Sequence, residues 1–249
     1  MKPIGLQLYT LREAAAQDFP GVLRKVAEIG YKGVEFAGLH GMPAAEVKKM
    51  IDDLGMVACS AHGPMPNAGN AAQIIDECHT LGHQYLVTGP GGSIDTMDNV
   101  LAAADRFNAG IEALGKSGIR LGLHNHWLEF QPVEGALPED VMLEKSPGMF
   151  AQLDVYWIAV GGPDSAMTVA RLKDRAPLLH IKDGMIEPPQ PHTAVGQGVL
   201  DMPSIIAAAD PDVLEWLIVE LDSCATDMVQ AVEDSYRYMI DNGLAEGNR

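Results

Sequence analysis

The sequence predicts a (β/α)8 barrel, a single-domain α/β chain over residues 1–249, and three observations predict it. Eight short apolar runs alternate, without a break, with eight stretches of helical period. The length of 249 residues suits one large core. The first strand-to-helix turn, Gln7-Leu8-Tyr9-Thr10-Leu11-Arg12, lacks the glycine fingerprint that a doubly wound open sheet carries there.

Residues 4–9 alternate apolar with small or polar side chains and read as strand one. Asp18-Phe19-Pro20 opens a helix, with Asp18 as cap and Pro20 in the first turn. Val22, Val26 and Ile29 keep helical spacing, and Gly30 ends it. Residues 33–36 are strand two. A helix runs from Pro43 to its stop at Gly55, and residues 56–62 are strand three. Residues 71–81 form a helix ended by Gly82, 84–88 are strand four, and Gly89-Pro90-Gly91-Gly92 is a loop. A long helix covers 97–116. Strand five starts at Arg120 and leads into His124-Asn125-His126-Trp127-Leu128-Glu129-Phe130. Then come a short helix at 138–145, strand six at 149–155, a helix at 165–174 and strand seven at 178–182. A long loop at 184–198 holds Gly184, Pro188, Pro189 and Gly198. A helix at 203–209, strand eight at 216–221 and a helix at 228–242 complete the series.

Composition narrows the partners. The chain is 47% hydrophobic, and no apolar stretch reaches the roughly 18 residues a membrane span needs. Met1-Lys2-Pro3-Ile4-Gly5 runs straight into strand one without a signal segment. Cys59, Cys78 and Cys224 are odd in number and scattered, with no CxxC pair, which suits a reducing compartment. A cytoplasmic location is expected. A formal charge of −17 with no run of Lys or Arg argues against nucleic acid as a partner and fits ordinary solubility.

Barrels of this kind carry their sites at the C-terminal ends of the strands. The polar residues there are Gln7 and Tyr9; Glu35; His62; Thr88; His124, His126 and Glu129; Asp154; His180 and Lys182; Glu220 and Asp222. Glu129, Asp154, His180 and Glu220 are a mixed carboxylate–imidazole set suited to Mn2+, Mg2+, Co2+ or Zn2+. Such an ion polarises a carbonyl and hydroxyl of a substrate. Glu129 and Glu220 are the candidate acid and base, with His126 a further proton carrier. Lys182 either binds a substrate oxygen or stabilises an enolate, or it pairs structurally with Asp183 or Glu220. Gln7, Tyr9, Glu35, His62, His124 and Trp157 are candidate substrate contacts, Trp157 as an apolar wall for a sugar ring. Plainer readings stand beside these: a solvent-facing Glu35, a turn-capping His62, a core His124, a helix-capping Asp154 and a packing Trp157. His40, His79, His83 and His192 fall in helices or loops and receive no role. Met50 and Met97 read as core filling.

The ordered set Gly5-Leu6-Gln7-Leu8-Tyr9-Thr10-Leu11-Arg12, Gly30-Tyr31-Lys32-Gly33-Val34-Glu35, Leu123-His124-Asn125-His126 with Glu129-Phe130, Leu153-Asp154, His180-Ile181-Lys182-Asp183 and Val219-Glu220-Leu221-Asp222 resembles the xylose-isomerase-like TIM barrel superfamily. Within it the chain resembles the sugar phosphate isomerase/epimerase group, and inosose-dehydratase-like members also carry histidines at the end of strand five with a Glu downstream. The resemblance implies a divalent metal, often Mn2+, held by Glu, Asp, His and Glu, and proton transfer next to a sugar carbonyl. Asp154, His180 and Glu220 match that pattern. Strand five departs from it: many relatives end in Glu-Asn-His where this chain has His124-Asn125-His126. Either Glu129 reaches back as the ligand or His124 takes its place.

The leading expectation is therefore a metal-dependent isomerase or epimerase of a sugar or keto-sugar, with Mn2+ first among the ions. A lyase or dehydratase, of inosose type or eliminating from a keto-glycoside, is the alternative, because the same enediolate can expel a β-substituent. A non-catalytic sugar-binding barrel is a third reading. The superfamily's nucleases are disfavoured by the −17 charge. The acidic balance favours an unphosphorylated sugar. Homo-oligomerisation is open, with the outer helices or the 184–198 loop as contacts.

Overall fold

The computed structural model describes residues 1–187 and 191–248. Its strands are β1 (Lys2–Gln7), β2 (Gly33–Phe36), β3 (Val57–His62), β4 (Tyr85–Thr88), β5 (Arg120–His124), β6 (Phe150–Asp154), β7 (Leu178–Ile181), β8 (Trp216–Val219) and β9 (Ala245–Glu246). The helices are α1 (Arg12–Ile29), α2 (Ala44–Asp53), α3 (Ala71–Leu81), α4 (Met97–Leu114), α5 (Pro138–Lys145), α6 (Val155–Gly161), α7 (Ser165–Leu172), α8 (Met202–Ala207) and α9 (Met228–Asp241). Strands β1 to β8 pair in sequence order, all parallel, and β8 returns to β1. The sheet closes into a barrel, as the alternation of elements predicts, and helices lie between the strands.

Local departures from the expected boundaries have identifiable causes. β1 stops at Gln7 because residues 8–11 wind into a 3-10 turn, where the Gln7 side chain accepts the Tyr9 N–H. α1 begins at Arg12, ahead of the expected start. Asp18 nonetheless acts as foreseen: its backbone leaves helical geometry (φ −147°, ψ 77°) and its Oδ1 accepts the Gly21 N–H at 2.8 Å. β6 ends at Asp154 and a helix no apolar period announced follows at once, because Asp154 Oδ1 takes the N–H groups of Tyr156 and Trp157. The two-residue β9 pairs with the start of β1 and was not expected. Of the long 184–198 loop, Pro188 and Pro189 lie outside the described residues. Its base is gathered by the buried Asp183, whose carboxylate accepts the N–H groups of Gly184, Gly196, Gly198 and Leu200.

Alternation along each strand sorts the barrel interior into layers. Along β6, Phe150, Gln152 and Asp154 share the inward face; along β7, Leu178 and His180 do. Phe150 and Leu178 join Cys59, Tyr85, Val87 and Ile218 in an apolar plug at one end. The polar residues lie beyond it, towards the C-terminal ends. The plug needs a small neighbour: a Cβ on Gly122 would sit 2.3 Å from the Phe150 ring. Gly122→Ala is therefore expected to cost about 1–3 kcal/mol through overpacking. Urea unfolding checks this, and a double variant with Phe150→Leu should recover part of the loss.

α5 buries one carboxyl without a partner. Glu139 is fully buried and neither oxygen accepts a hydrogen bond. Burial pushes its pKa well above the ordinary 4.5, with Glu129 and Asp140 adding to the rise and Arg171 and Arg175 opposing it. The folded protein thus binds a proton that the unfolded chain releases near pH 4.5. The associated stability is whole below that pH and is lost as pH rises through the folded value. Glu139→Gln should flatten this decline and stabilise the protein by about 1–3 kcal/mol at pH 8 relative to wild type. Denaturant midpoints at pH 5 and pH 8 measure it, and equal differences at both pH values would contradict it.

Candidate active site and metal centre

Strand register sets the site. Gln7, Glu35 and Ser60 are neighbours across β1, β2 and β3. His124 is level with Gln152, and Asp154 with His180. Residues level on adjacent inward faces meet in the barrel, so these side chains converge.

At the floor lies Glu35, fully buried. Its Oε1 accepts Gln7 Nε2 at 2.6 Å and pairs with His180 Nε2 at 2.6 Å. Its Oε2 accepts Ser60 Oγ at 2.6 Å and Gln152 Nε2 at 2.5 Å. Burial acts to raise this carboxyl's pKa, but the charges and hydrogen bonds of His62 and His180 outweigh it and hold it well below the usual range. Gln152 Oε1 in turn faces His62 Nε2 at 2.7 Å and His124 Nδ1 at 3.1 Å. The rings of His62, His124 and His180 crowd together, with His62 stacked on His180 at 5.5 Å.

Above the floor is a charged layer. His180 Nδ1 lies 3.0 Å from Glu220 Oε2. Between two carboxylates, His180 is raised to about 10, since Glu35 and Glu220 overcome the burial that would lower it. Lys182, also fully buried, places Nζ 3.0 Å from Asp154 Oδ2, 2.8 Å from Glu220 Oε2 and 2.8 Å from Asp222 Oδ2. Those three carboxylates keep it charged despite burial. Burial likewise acts to raise Glu220, and Lys182 and His180 bring it well below the ordinary carboxylate range. His124 goes the other way: burial, then His180 and His62, push it well below 6.5, so its imidazole is neutral.

Over this layer opens a cavity of about 480 Å3, lined by Tyr9, Ala37, His62, His124, His126, Trp127, Trp157, Glu220 and Asp222. Trp127 and Trp157 form an aromatic wall with ring centroids 5.0 Å apart, and His126 packs on Trp157. The size is that of a small-molecule pocket, and neither Lys nor Arg lines it.

Tyr9, His62, His124, His126, Trp157 and Glu220 thus sit on the cavity wall, where substrate contacts are expected. Gln7 and Glu35 do not: both are fully buried beneath it, joined by the hydrogen bond from Gln7 Nε2 to Glu35 Oε1. Lys182 lies behind the wall, held by its three carboxylates. Glu129 is also off the wall. Its Oε2 accepts the His126 N–H at 2.8 Å, which folds the carboxylate back onto its own turn, and burial raises its pKa. Among the described residues, the ligand atoms that come within 4.8 Å of one another belong to His124, Asp154, His180 and Glu220, and in an overlapping group to His62, His124 and His180. The sequence-based set named Glu129 where the structure brings His124.

Gln152 received no role from the sequence, yet it ties His62, His124 and Glu35 together. The signal was present: it lies two residues before Asp154 in β6, so both must face inward. His192, read as a plain loop residue, is buried; its Nδ1 accepts the Asp222 N–H at 3.1 Å and its ring packs on Tyr156 and Trp157. No strand periodicity reaches it.

The donor set fits a divalent ion. It combines two carboxylates with two imidazoles, and Asp154 Oδ2 is buried without a hydrogen bond, although Lys182 stands close. Each imidazole has an outer partner that fixes its ring, Glu35 for His180 and Gln152 for His124.

Comparison with known proteins agrees with this architecture. A sugar phosphate isomerase/epimerase from Parabacteroides distasonis superposes with a TM-score of 0.81 at 26% identity, over 98% of this chain and 96% of that one. An L-ribulose 3-epimerase matches at 0.75 and 17% identity, over 98% and 95%. The IolI protein with a bound zinc atom matches at 0.75 and 14%, over 97% of each chain. The last two likenesses are of fold. No curated protein matches the sequence. The family model described as xylose isomerase-like TIM barrel matches residues 23–241, and with strands, register and length in agreement the chain belongs to that family.

Proposed function

We propose that this protein is a divalent-metal-dependent isomerase or epimerase of an unphosphorylated sugar or keto-sugar. The observation that carries the reading is the convergence of ligand atoms of His124, Asp154, His180 and Glu220 within 4.8 Å of one another, at the foot of a cavity that His124, His126 and Glu220 line. His124, Asp154, His180 and Glu220 would hold the ion, whose chemistry is to polarise adjacent substrate oxygens and acidify the C–H beside the carbonyl.

The chain's own groups supply the rest. Glu220 and His126 both line the cavity, and one would take the substrate's proton while the other, already protonated, delivers its own proton to the planar intermediate. Delivery to the same carbon on the opposite face inverts it; delivery to the neighbouring carbon moves the carbonyl. Glu129 acts as a positioning residue, holding the turn that carries His126. Lys182 keeps Glu220 ionised and holds Glu220 and Asp222 in place. Trp157 and Trp127 offer flat apolar surface to the C–H face of a ring, and Tyr9 and His62 offer polar edges. A cavity wall without Lys or Arg, above several carboxylates, disfavours a phosphate ester.

Incubation with a panel of keto-sugars in D2O, read by NMR, tests the proposal. Deuterium at one carbon with inverted configuration marks an epimerase, and a displaced carbonyl an isomerase. Loss of water or of a β-substituent would instead establish the lyase reading. Absence of exchange on every member, with metal supplied, would overturn proton-transfer catalysis. Phosphorylated sugars are expected to be poorer substrates than their parents; a lower KM for the phosphate ester would contradict the electrostatic argument.

A further inference from the structure

We infer that His124 makes this a two-imidazole, two-carboxylate metal centre that holds nitrogen-preferring ions, Zn2+ or Co2+, at the expense of Mn2+ and Mg2+. The inference rests on the metal-dependent reading above and specifies its ion.

The argument begins with which nitrogen is available. Gln152 Oε1 can only accept, so His124 Nδ1, at 3.1 Å, carries the proton. Gln152 is itself fixed in that orientation, because its Nε2 donates to Glu35 at 2.5 Å. The tautomer this imposes leaves His124 Nε2 with its lone pair free and no hydrogen bond. His180 is oriented in the complementary way: Nε2 is held by Glu35, and Nδ1 turns towards Glu220. Two ring nitrogens are therefore presented to Asp154 and Glu220 by partners that are themselves fully buried.

The carboxylate that would make the set oxygen-rich is engaged elsewhere. Glu129 Oε2 holds the His126 N–H, and no grouping of ligand atoms within 4.8 Å among the described residues includes it. The charge of the remaining pair is also reduced. Lys182 Nζ stands 3.0 Å from Asp154 and 2.8 Å from Glu220, so the two carboxylates meet an incoming ion already sharing one positive charge. Hard ions such as Mg2+ and Mn2+ depend on oxygen donors and negative charge; Zn2+ and Co2+ draw more from imidazole. Trading a carboxylate for an imidazole beside a buried ammonium moves the balance towards the second group.

Every mixed nitrogen–oxygen site favours Zn2+ over Mn2+ to some degree. The test is therefore how the ratio of the two affinities changes, measured by competition with a metal chelator in the absence of substrate. In His124→Glu the preference for Zn2+ over Mn2+ is expected to fall about tenfold or more, with Mn2+ bound more tightly than by wild type. Glu129→Gln should leave both affinities unchanged. His124→Asn, close in size and unable to ligate as an imidazole does, serves if the Glu variant fails to fold; it should weaken Zn2+ more than Mn2+. An unaltered ratio in both His124 variants, loss of metal in Glu129→Gln, or no uptake of either ion by wild type would overturn the inference. The outcome is separable from the proposed function: the stated metal preference without exchange on any keto-sugar leaves this centre standing and removes the isomerase reading. Exchange supported by Mn2+, with an unaltered ratio, does the reverse.

Discussion

Glu35→Ala is expected to be the most damaging single substitution in the barrel, costing about 3–5 kcal/mol of stability. Five side chains donate to or pair with this one carboxylate: Gln7, Ser60, His62, Gln152 and His180. All but His62 are fully buried, so truncation leaves their polar groups without water to replace the lost acceptor. His180 suffers most, since it would keep only Glu220 as a counter-charge. Glu35→Gln preserves volume but turns an NH2 towards groups that already donate, and should recover little. Urea unfolding at pH 7 measures the loss. A change below about 1 kcal/mol would mean that the network is supported mainly by packing. The damage should also reach function, because Glu35 fixes both His180 and, through Gln152, His124.

Lys182→Met is expected to cost about 3–5 kcal/mol in the metal-free protein, by a different route. The stem keeps its packing, but Asp154, Glu220 and Asp222 lose the ammonium that all three face. Three acids would then sit around an apolar group, and two of them are fully or almost fully buried. The compensating proton uptake gives a signature: the deficit should shrink at low pH, where carboxylates protonate. Added Zn2+ should narrow it as well, since a cation between Asp154 and Glu220 replaces part of the missing charge. Thermal melts with and without Zn2+, at pH 5 and pH 8, separate these effects. A deficit independent of both would indicate lost packing alone. Lys182→Arg is not expected to rescue, because a planar guanidinium does not fit a position shaped for a point charge among three oxygens.

The fold was legible because its signals are local and repeated. Gly30 and Gly82 end helices in left-handed geometry, and apolar strands such as 120–124 and 178–181 leave little choice of element. Asp18 capped a helix as its residue type suggested, though the helix had already begun upstream. α6 escaped notice because seven residues carry too short a period, while its cap, Asp154, was being weighed as a ligand; in the structure Asp154 caps the helix with Oδ1 and turns Oδ2 to Lys182 Nζ at 3.0 Å.

The sequence alone determined the barrel, the strand ends that carry polar groups, and Asp154, His180 and Glu220 as a group drawn from three successive strands. Those follow from chain order, the two-residue period of a strand and the architecture they imply. Only the tertiary structure shows which neighbour stands beside that group. The choice between His124 and Glu129 turns on whether a carboxylate five residues on folds back to its own backbone, as Glu129 does on His126. The depth of Gln7, Glu35 and Lys182 was likewise hidden, because strand position tells which way a side chain faces but not what already occupies the space in front of it. Gln152 joins strands through contacts that have no sequence spacing, and its influence on His124 exists only once β5 and β6 lie side by side in register.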